Sequence, residues 1–272
     1  MSSTSARRAT HSISATSIRR PVHLHRPSST HREPPMSPLV LMLVAVAVPA
    51  AFFVSASAGL GGSLIMVPTM MLILGTKEGA AMAALLLAMN NVAKVVTYRR
   101  VIPFKAAAGV VALTFVGVAL GATLLLSAPD RVIEVAVVLA IVLTLIAELA
   151  QVPGRTAWAA PLALGAGLTS GFSGTSGPLK GVALRSLDLD RRHLVGAASL
   201  VSLVGDATKT AIFAEAGLLG RAEWLVIVAL IPVMIAATAL GSRFNDRVGE
   251  TGYSVLFWSV MGGYLSRILL WG

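Results

Sequence analysis

Apolar residues dominate the stretches 39–58, 79–97, 103–126 and 131–150, and again 157–171, 193–214, 222–240 and 252–271. A helix needs roughly 20 apolar residues to cross the hydrocarbon core of a bilayer, so these stretches predict about eight transmembrane helices. Two of them end in breaks rich in glycine and hydroxyl residues. The first is Gly59-Leu60-Gly61-Gly62-Ser63, running through Leu64-Ile65-Met66-Val67 into Pro68. The second spans Gly167 to Pro178 and includes Gly171, Ser173, Gly174, Thr175, Ser176 and Gly177. Glycine weakens a helix and proline restricts how it resumes. A short apolar piece follows each break, 62–74 in the first case and up to about 185 in the second, each too short to span. Irregular backbone at membrane depth is tolerated only where protein buries it or where it lines a watery cavity.

The order of elements repeats. Gly121 falls on Gly241 and Phe104 on Trp224 at a shift of about 120, whereas the breaks align at a shift of about 112. The expected organisation is therefore a first transmembrane repeat over 37–152 and a second over 153–272. The fold class is an all-α polytopic membrane protein, a duplicated helical bundle with two glycine-broken helices. Two interrupted segments at matching places in two halves are a pointer to a transporter's binding site. Between the runs, Gly75-Thr76-Lys77-Glu78-Gly79 predicts a turn. Tyr98-Arg99-Arg100 predicts an interfacial anchor. Gly117 and Gly121 share a helix face suited to close packing.

Composition agrees with the pattern. The chain is 56% apolar and only 12% charged, against about 25% charged in soluble domains, which leaves no room for a separate soluble domain. Cysteine is absent, so disulfides, thiolate metal sites and thiol catalysis are excluded. Residues 1–36 hold six Arg and one Glu among Ser, Thr, Pro and His, a composition that predicts a disordered basic tail. Two alternatives stay open: a cytoplasmic tail, or a stretch upstream of a true start at Met36. Four of the five histidines lie there, and a solvated tail accounts for them better than a metal tract. The remaining positive charge sits in short loops, which suits a cytoplasmic N-terminus and an anionic leaflet rather than nucleic acid. With that orientation Arg185, Arg191, Arg192, Arg243 and Arg247 would face outside unless the short pieces cross more fully.

The glycine-rich break through Leu64-Ile65-Met66-Val67-Pro68, then Gly75, then a helix closed by Tyr98-Arg99-Arg100, resembles the TauE/SafE sulfite exporter family. A second copy carrying Gly171, Gly174 and Gly177-Pro178 strengthens the likeness, which covers 39–271. The resemblance implies a permease for small sulfur-containing anions, such as sulfite or organosulfonates, with the breaks near the substrate. The chain departs from the family pattern at Ser63, where a third glycine is common, and in the polar Thr175-Ser176 and Lys180. These departures leave the substrate open beyond sulfite itself.

Charges inside spans are costly, about 2.5–3.5 kcal/mol each on the lenient scale. Lys94 follows Asn90-Asn91 in the second span, and a shift of 115 places it on Lys209 and Asn91 on Asp206. Each half thus offers a lysine in the helix after its break. The expected substrate site draws on Gly59, Gly61, Gly62, Ser63, Asn91 and Lys94 from the first half. From the second it draws on Gly171, Ser173, Gly174, Thr175, Ser176, Gly177, Lys180, Asp206 and Lys209. The competing readings are structural. Lys94 can snorkel toward Tyr98, Lys180 can anchor at the interface, and Lys209 can pair with Asp206 one turn earlier. The hydroxyls can bond to their own helix. Asp206 is also the candidate proton-coupling carboxylate. His193 reads as a surface residue, and Glu148 and Glu215 as interfacial.

No P-loop, HExxH or Ser-His-Asp set is present. The expectation is a secondary transporter of small anions, not an enzyme, with no cofactor and no metal. Its partners are the anion and the lipid bilayer, with no nucleic acid, and a homo-oligomer is compatible with the sequence. The expected location is a bacterial inner membrane. A non-transporting membrane assembly protein is the alternative, followed by an intramembrane enzyme.

Overall fold

The computed structural model describes residues 37–58, 62–150, 158–243, 255, 258–259, 261–268 and 270. Among the described residues there is no strand. The helices in chain order are α1 (Pro38–Ala58), α2 (Ser63–Leu74), α3 (Thr76–Tyr98), α4 (Phe104–Ser127), α5 (Asp130–Ala150), α6 (Ala159–Ser173), α7 (Gly177–Arg185), α8 (Arg191–Glu215) and α9 (Arg221–Arg243). Residues 261–268 are helical as well. Thr76–Tyr98, Phe104–Ser127 and Glu223–Leu240 are long and apolar enough to cross a membrane. The expected last span, 252–271, lies only partly within the described residues, as does the first glycine break, whose Gly59 and Gly61 fall outside them.

Polar groups are hidden in the way lipid demands. Thr69, Thr123 and Thr208 each donate their hydroxyl to the carbonyl four residues back, at 2.6, 2.8 and 2.7 Å. Leu120 and Leu124 of α4 and Leu139 and Leu143 of α5 point outward and are exposed, an apolar surface for acyl chains.

The turn between α2 and α3 is tighter than the five-residue turn expected over 75–79. Gly75 alone reverses the chain, at φ 101°, and α3 begins at Thr76. Glycine is needed there because side chains disfavour that backbone region. Gly79 lies one turn into α3 at the helix crossing. A Cβ on it would stand 2.4 Å from the Met71 Cα, so only a glycine lets the two helices meet. The hairpin is tied to the rest of the bundle by a polar cluster. Thr76 Oγ1 donates to the buried Glu134 Oε1 at 2.6 Å, and Arg267 lies 3.8 Å from the same carboxylate while also donating to the Met71 carbonyl.

The closest helix pairing joins α4 to α6. A Cβ on Gly117 would stand 2.3 Å from the Leu164 carbonyl oxygen, and one on Gly121 2.2 Å from that of Leu168. Reciprocally, Gly167 and Gly171 would collide with the Thr114 and Val118 carbonyls at 2.3 and 2.4 Å. Two small-residue pairs, four apart on each helix, thus let the backbones touch. Thr114 adds a hydroxyl bond to the Ala163 carbonyl at 3.3 Å. This corrects the reading of 167–178 as one long break. Helix α6 continues through Ser173, and only Gly174, Thr175 and Ser176 lie between it and α7. Gly167 and Gly171 are there for helix contact, which a break would destroy.

Candidate functional site

A cavity of about 990 Å³ lies between the C-terminal half of α3, the N-terminal half of α8, α9 and the starts of α2 and α7. The start of α2 and the turn between α6 and α7 come together at its edge. Gly174, at φ 76° in the left-handed region, forms the tip of the α6–α7 hairpin. A Cβ there would press on both Val67 methyls at 2.8 Å, which places this tip one turn from the start of α2. Gly62 and Ser63, at that start, line the cavity together with Gly174 and Ser176.

Both short helices open toward the cavity without a side-chain cap: α2 from Gly62 and α7 from Ser176. The first N–H groups of a helix have no partner within it, and the aligned peptide dipoles make that end positive. The starts of α3, α4 and α6 also lack a side-chain cap, whereas α8 has one. Asp190 accepts from the backbone N–H of Arg192 and His193 at 2.9 and 3.0 Å, and its other oxygen meets the His193 ring at 2.7 Å. The His193 N–H, above all, holds this exposed carboxyl below the usual carboxylate range. His193 is exposed, as expected.

Of the three candidate lysines, two line the cavity. Lys94 is partly exposed to it and makes no hydrogen bond or ion pair among the described residues. Lys180 donates to Ser202 Oγ at 2.9 Å, placing its ammonium at the cavity wall rather than at an interface. Lys209 stands one layer back, 1% exposed. Its Nζ lies 2.7 Å from Asp206 Oδ1, 3.3 Å from the Gly174 carbonyl and 3.4 Å from Ser170 Oγ. Asp206 itself lines the cavity, and its Oδ2 accepts from Asn91 Nδ2 at 2.7 Å. Lys209 and Asp206 cancel, so the cavity wall keeps the two positive charges of Lys94 and Lys180.

Gly62, Ser63, Asn91, Lys94, Gly174, Ser176, Lys180 and Asp206 are thus gathered around one space. Gly171 is held in the α4 contact and does not line it. Ser173 is buried and bonded to its own chain, to the Thr169 and Thr175 carbonyls at 2.8 and 3.3 Å. Thr175 is buried at the hairpin tip and does not line the cavity either. Gly177 is the first residue of α7.

The lining also contains Ser170, Ser199 and Ser202, which the sequence reading did not select. A usable signal existed for two of them. Ser199, Ser202, Asp206 and Lys209 are spaced by three, four and three residues, a polar stripe along one face of α8.

The family model described as Sulfite exporter TauE/SafE matches residues 43–266. No curated protein and no solved structure matches the chain.

Proposed function

The chain belongs to the TauE/SafE sulfite exporter family, a family of membrane transporters and not of enzymes, and from that premise we propose that it is a secondary transporter of small sulfur oxyanions or organosulfonates. The observation that carries the reading is the meeting of two uncapped helix starts, at Gly62 and Ser176, with Lys94 and Lys180 around one cavity. Peptide N–H groups and ammonium groups both bind oxyanions, and half-helices ending at mid-membrane are a recurrent way to build such a site. Ser63, Ser170 and Ser202 supply hydroxyls within the same wall. Lys209 stands behind this wall, and while Asp206 is ionised its ammonium is engaged by Asp206, Ser170 and the Gly174 carbonyl.

In this reading the chain is an integral protein of a bacterial inner membrane with its N-terminus in the cytoplasm. Two repeats of about 37–152 and 153–272 together supply about eight spans. The contact between Asn91 and Asp206 supports the duplication. The two stand at equivalent positions of the proposed repeats, and a two-fold axis passing between them would bring such counterparts face to face. Movement of one repeat against the other would expose the site to each side in turn.

Reconstitution into proteoliposomes tests the function. Saturable uptake of sulfite or methanesulfonate, reduced in Lys94→Gln, is the expected result. Protein-dependent flux of neither anion sinks the reading in favour of an assembly role.

A further inference from the structure

Asp206 lines a cavity whose other charged wall residues are Lys94 and Lys180, and among the described residues no second carboxylate and no imidazole lines it. The groups around it come from several elements. Helix α3 presents Asn91 and Lys94. Helices α6 and α7 present Ser170 and Lys180. Helix α8 itself presents Lys209, and α9 contributes Thr238 with apolar residues. A carboxylate in the wall of an anion cavity is unfavourable for anion binding, because it repels the ligand and occupies a cation. Here the occupied cation is Lys209, which lies directly behind three wall residues, Asp206, Ser170 and Gly174.

We infer that Asp206 is a proton-binding site whose protonation hands the Lys209 ammonium over to the transported anion. The inference rests on the anion-transport reading above. One proton from water binds Asp206 Oδ1, and the neutral acid no longer balances Lys209. The anion takes the place of the lost carboxylate charge, so the buried charge count stays constant. Neither partial step is favourable: a protonated Asp206 alone strands a buried cation, and an anion beside an ionised Asp206 is repelled. Proton and anion therefore bind together, and by linkage each raises the affinity for the other. The same step loosens a three-way tie, because the Asp206–Lys209 pair joins Asn91 of α3 to the hairpin tip at Gly174. Transport then follows the proton gradient as well as the anion gradient.

Methanesulfonate is a suitable probe because it stays ionised across the accessible pH range. Its affinity for the purified wild-type protein is measured by calorimetry from pH 5 to 8. Proton uptake is followed with an indicator dye in weak buffer. The expected result is affinity that rises as pH falls, by up to about tenfold per unit for one linked proton, with protons taken up on binding. In Asp206→Asn the affinity, whatever its level, no longer changes with pH in this range. An acid gradient likewise stops accelerating uptake into proteoliposomes. If that variant does not fold, Asp206→Asn with Lys209→Gln removes both charges and is expected to give the same flat profile.

Lys94 and Lys180 are present in the wild type and in both variants, so a response of theirs would persist there, and a flat variant profile assigns the pH dependence to Asp206. Wild-type binding that is flat in pH overturns the proposal while leaving anion transport standing. So does a pH response that persists in the variants. Failure of the wild type to bind or carry methanesulfonate or sulfite at all removes the transport reading, and this inference with it.

Discussion

Asn91 and Asp206 are 115 residues apart in the chain, yet the Asn91 amide donates to the Asp206 carboxylate at 2.7 Å. The bond joins α3 to α8 in the wall of the cavity. It also fills the second acceptor of a carboxylate whose first is taken by Lys209. An ionised group buried among apolar helices persists only with such partners. The arrangement therefore fixes where Lys209 and the hairpin tip at Gly174 can sit.

Lys94 is the free cation of the wall among the described residues, so charge should be its useful property. Lys94→Gln is expected to weaken anion affinity by about 1–3 kcal/mol, the range for a lost charge-assisted hydrogen bond. Lys94→Arg should keep part of it, since the guanidinium retains charge but not shape. Calorimetric titration of the three proteins with methanesulfonate checks both expectations.

Breaking the buried pair from one side should cost far more than removing it whole. Lys209→Gln is expected to destabilise the protein by about 3–5 kcal/mol, because Asp206 is left without its cation. Asp206→Asn with Lys209→Gln should recover most of that loss. Detergent-solubilised thermal unfolding of the single and double variants decides it. A double variant no more stable than the single would contradict the ion-pair account.

The α4–α6 contact leaves no space for a side chain at Gly121. Overpacking commonly costs about 1–3 kcal/mol where side chains can yield, and here the obstacle is the Leu168 carbonyl, which cannot. Gly121→Leu should therefore fail to give a monodisperse protein, whereas Gly109→Ala, which meets nothing within 4 Å, should be tolerated. Size-exclusion profiles of the two compare them directly.

Asp190 caps α8 from an exposed position in the preceding loop, and the contribution of that cap should depend on pH. Its folded carboxyl titrates below its ordinary value, so the stabilisation is complete above the unfolded value, near 3.9, and fades as pH falls through the folded one. Asp190→Ala should accordingly lower the melting temperature at pH 7, and the gap to wild type should narrow below about pH 4. A constant gap across that range would assign the effect to something other than the charged cap.

The basic segment 1–35 is expected to be dispensable. A chain beginning at Met36 should insert and carry anion like the full-length protein, measured by membrane fractionation and proteoliposome uptake. Loss of insertion would give the tail a role in targeting.

Much of this protein follows from local pattern alone. The helices fall where the apolar runs place them, because in lipid a backbone has to bond within its own helix, so helix length is written directly in the run of apolar residues. The interruption after Ser173, the lysines within apolar runs and the family are legible for the same reason. Glycine, proline and charge are costly there, and each stands out against its surroundings. What the sequence leaves undecided is direction and depth. Gly171 and Gly174 look alike in the chain. Packing assigns one to a backbone contact with α4 and the other to a left-handed turn at the cavity edge. Lys94 and Lys209 each follow a polar residue three positions earlier in an apolar run, but only tertiary structure puts the first at the wall and the second behind it. That difference arises because α8 carries Asp206 one turn before Lys209, whereas α3 carries the neutral Asn91 one turn before Lys94, so one cation is neutralised on its own helix and the other is left for a ligand.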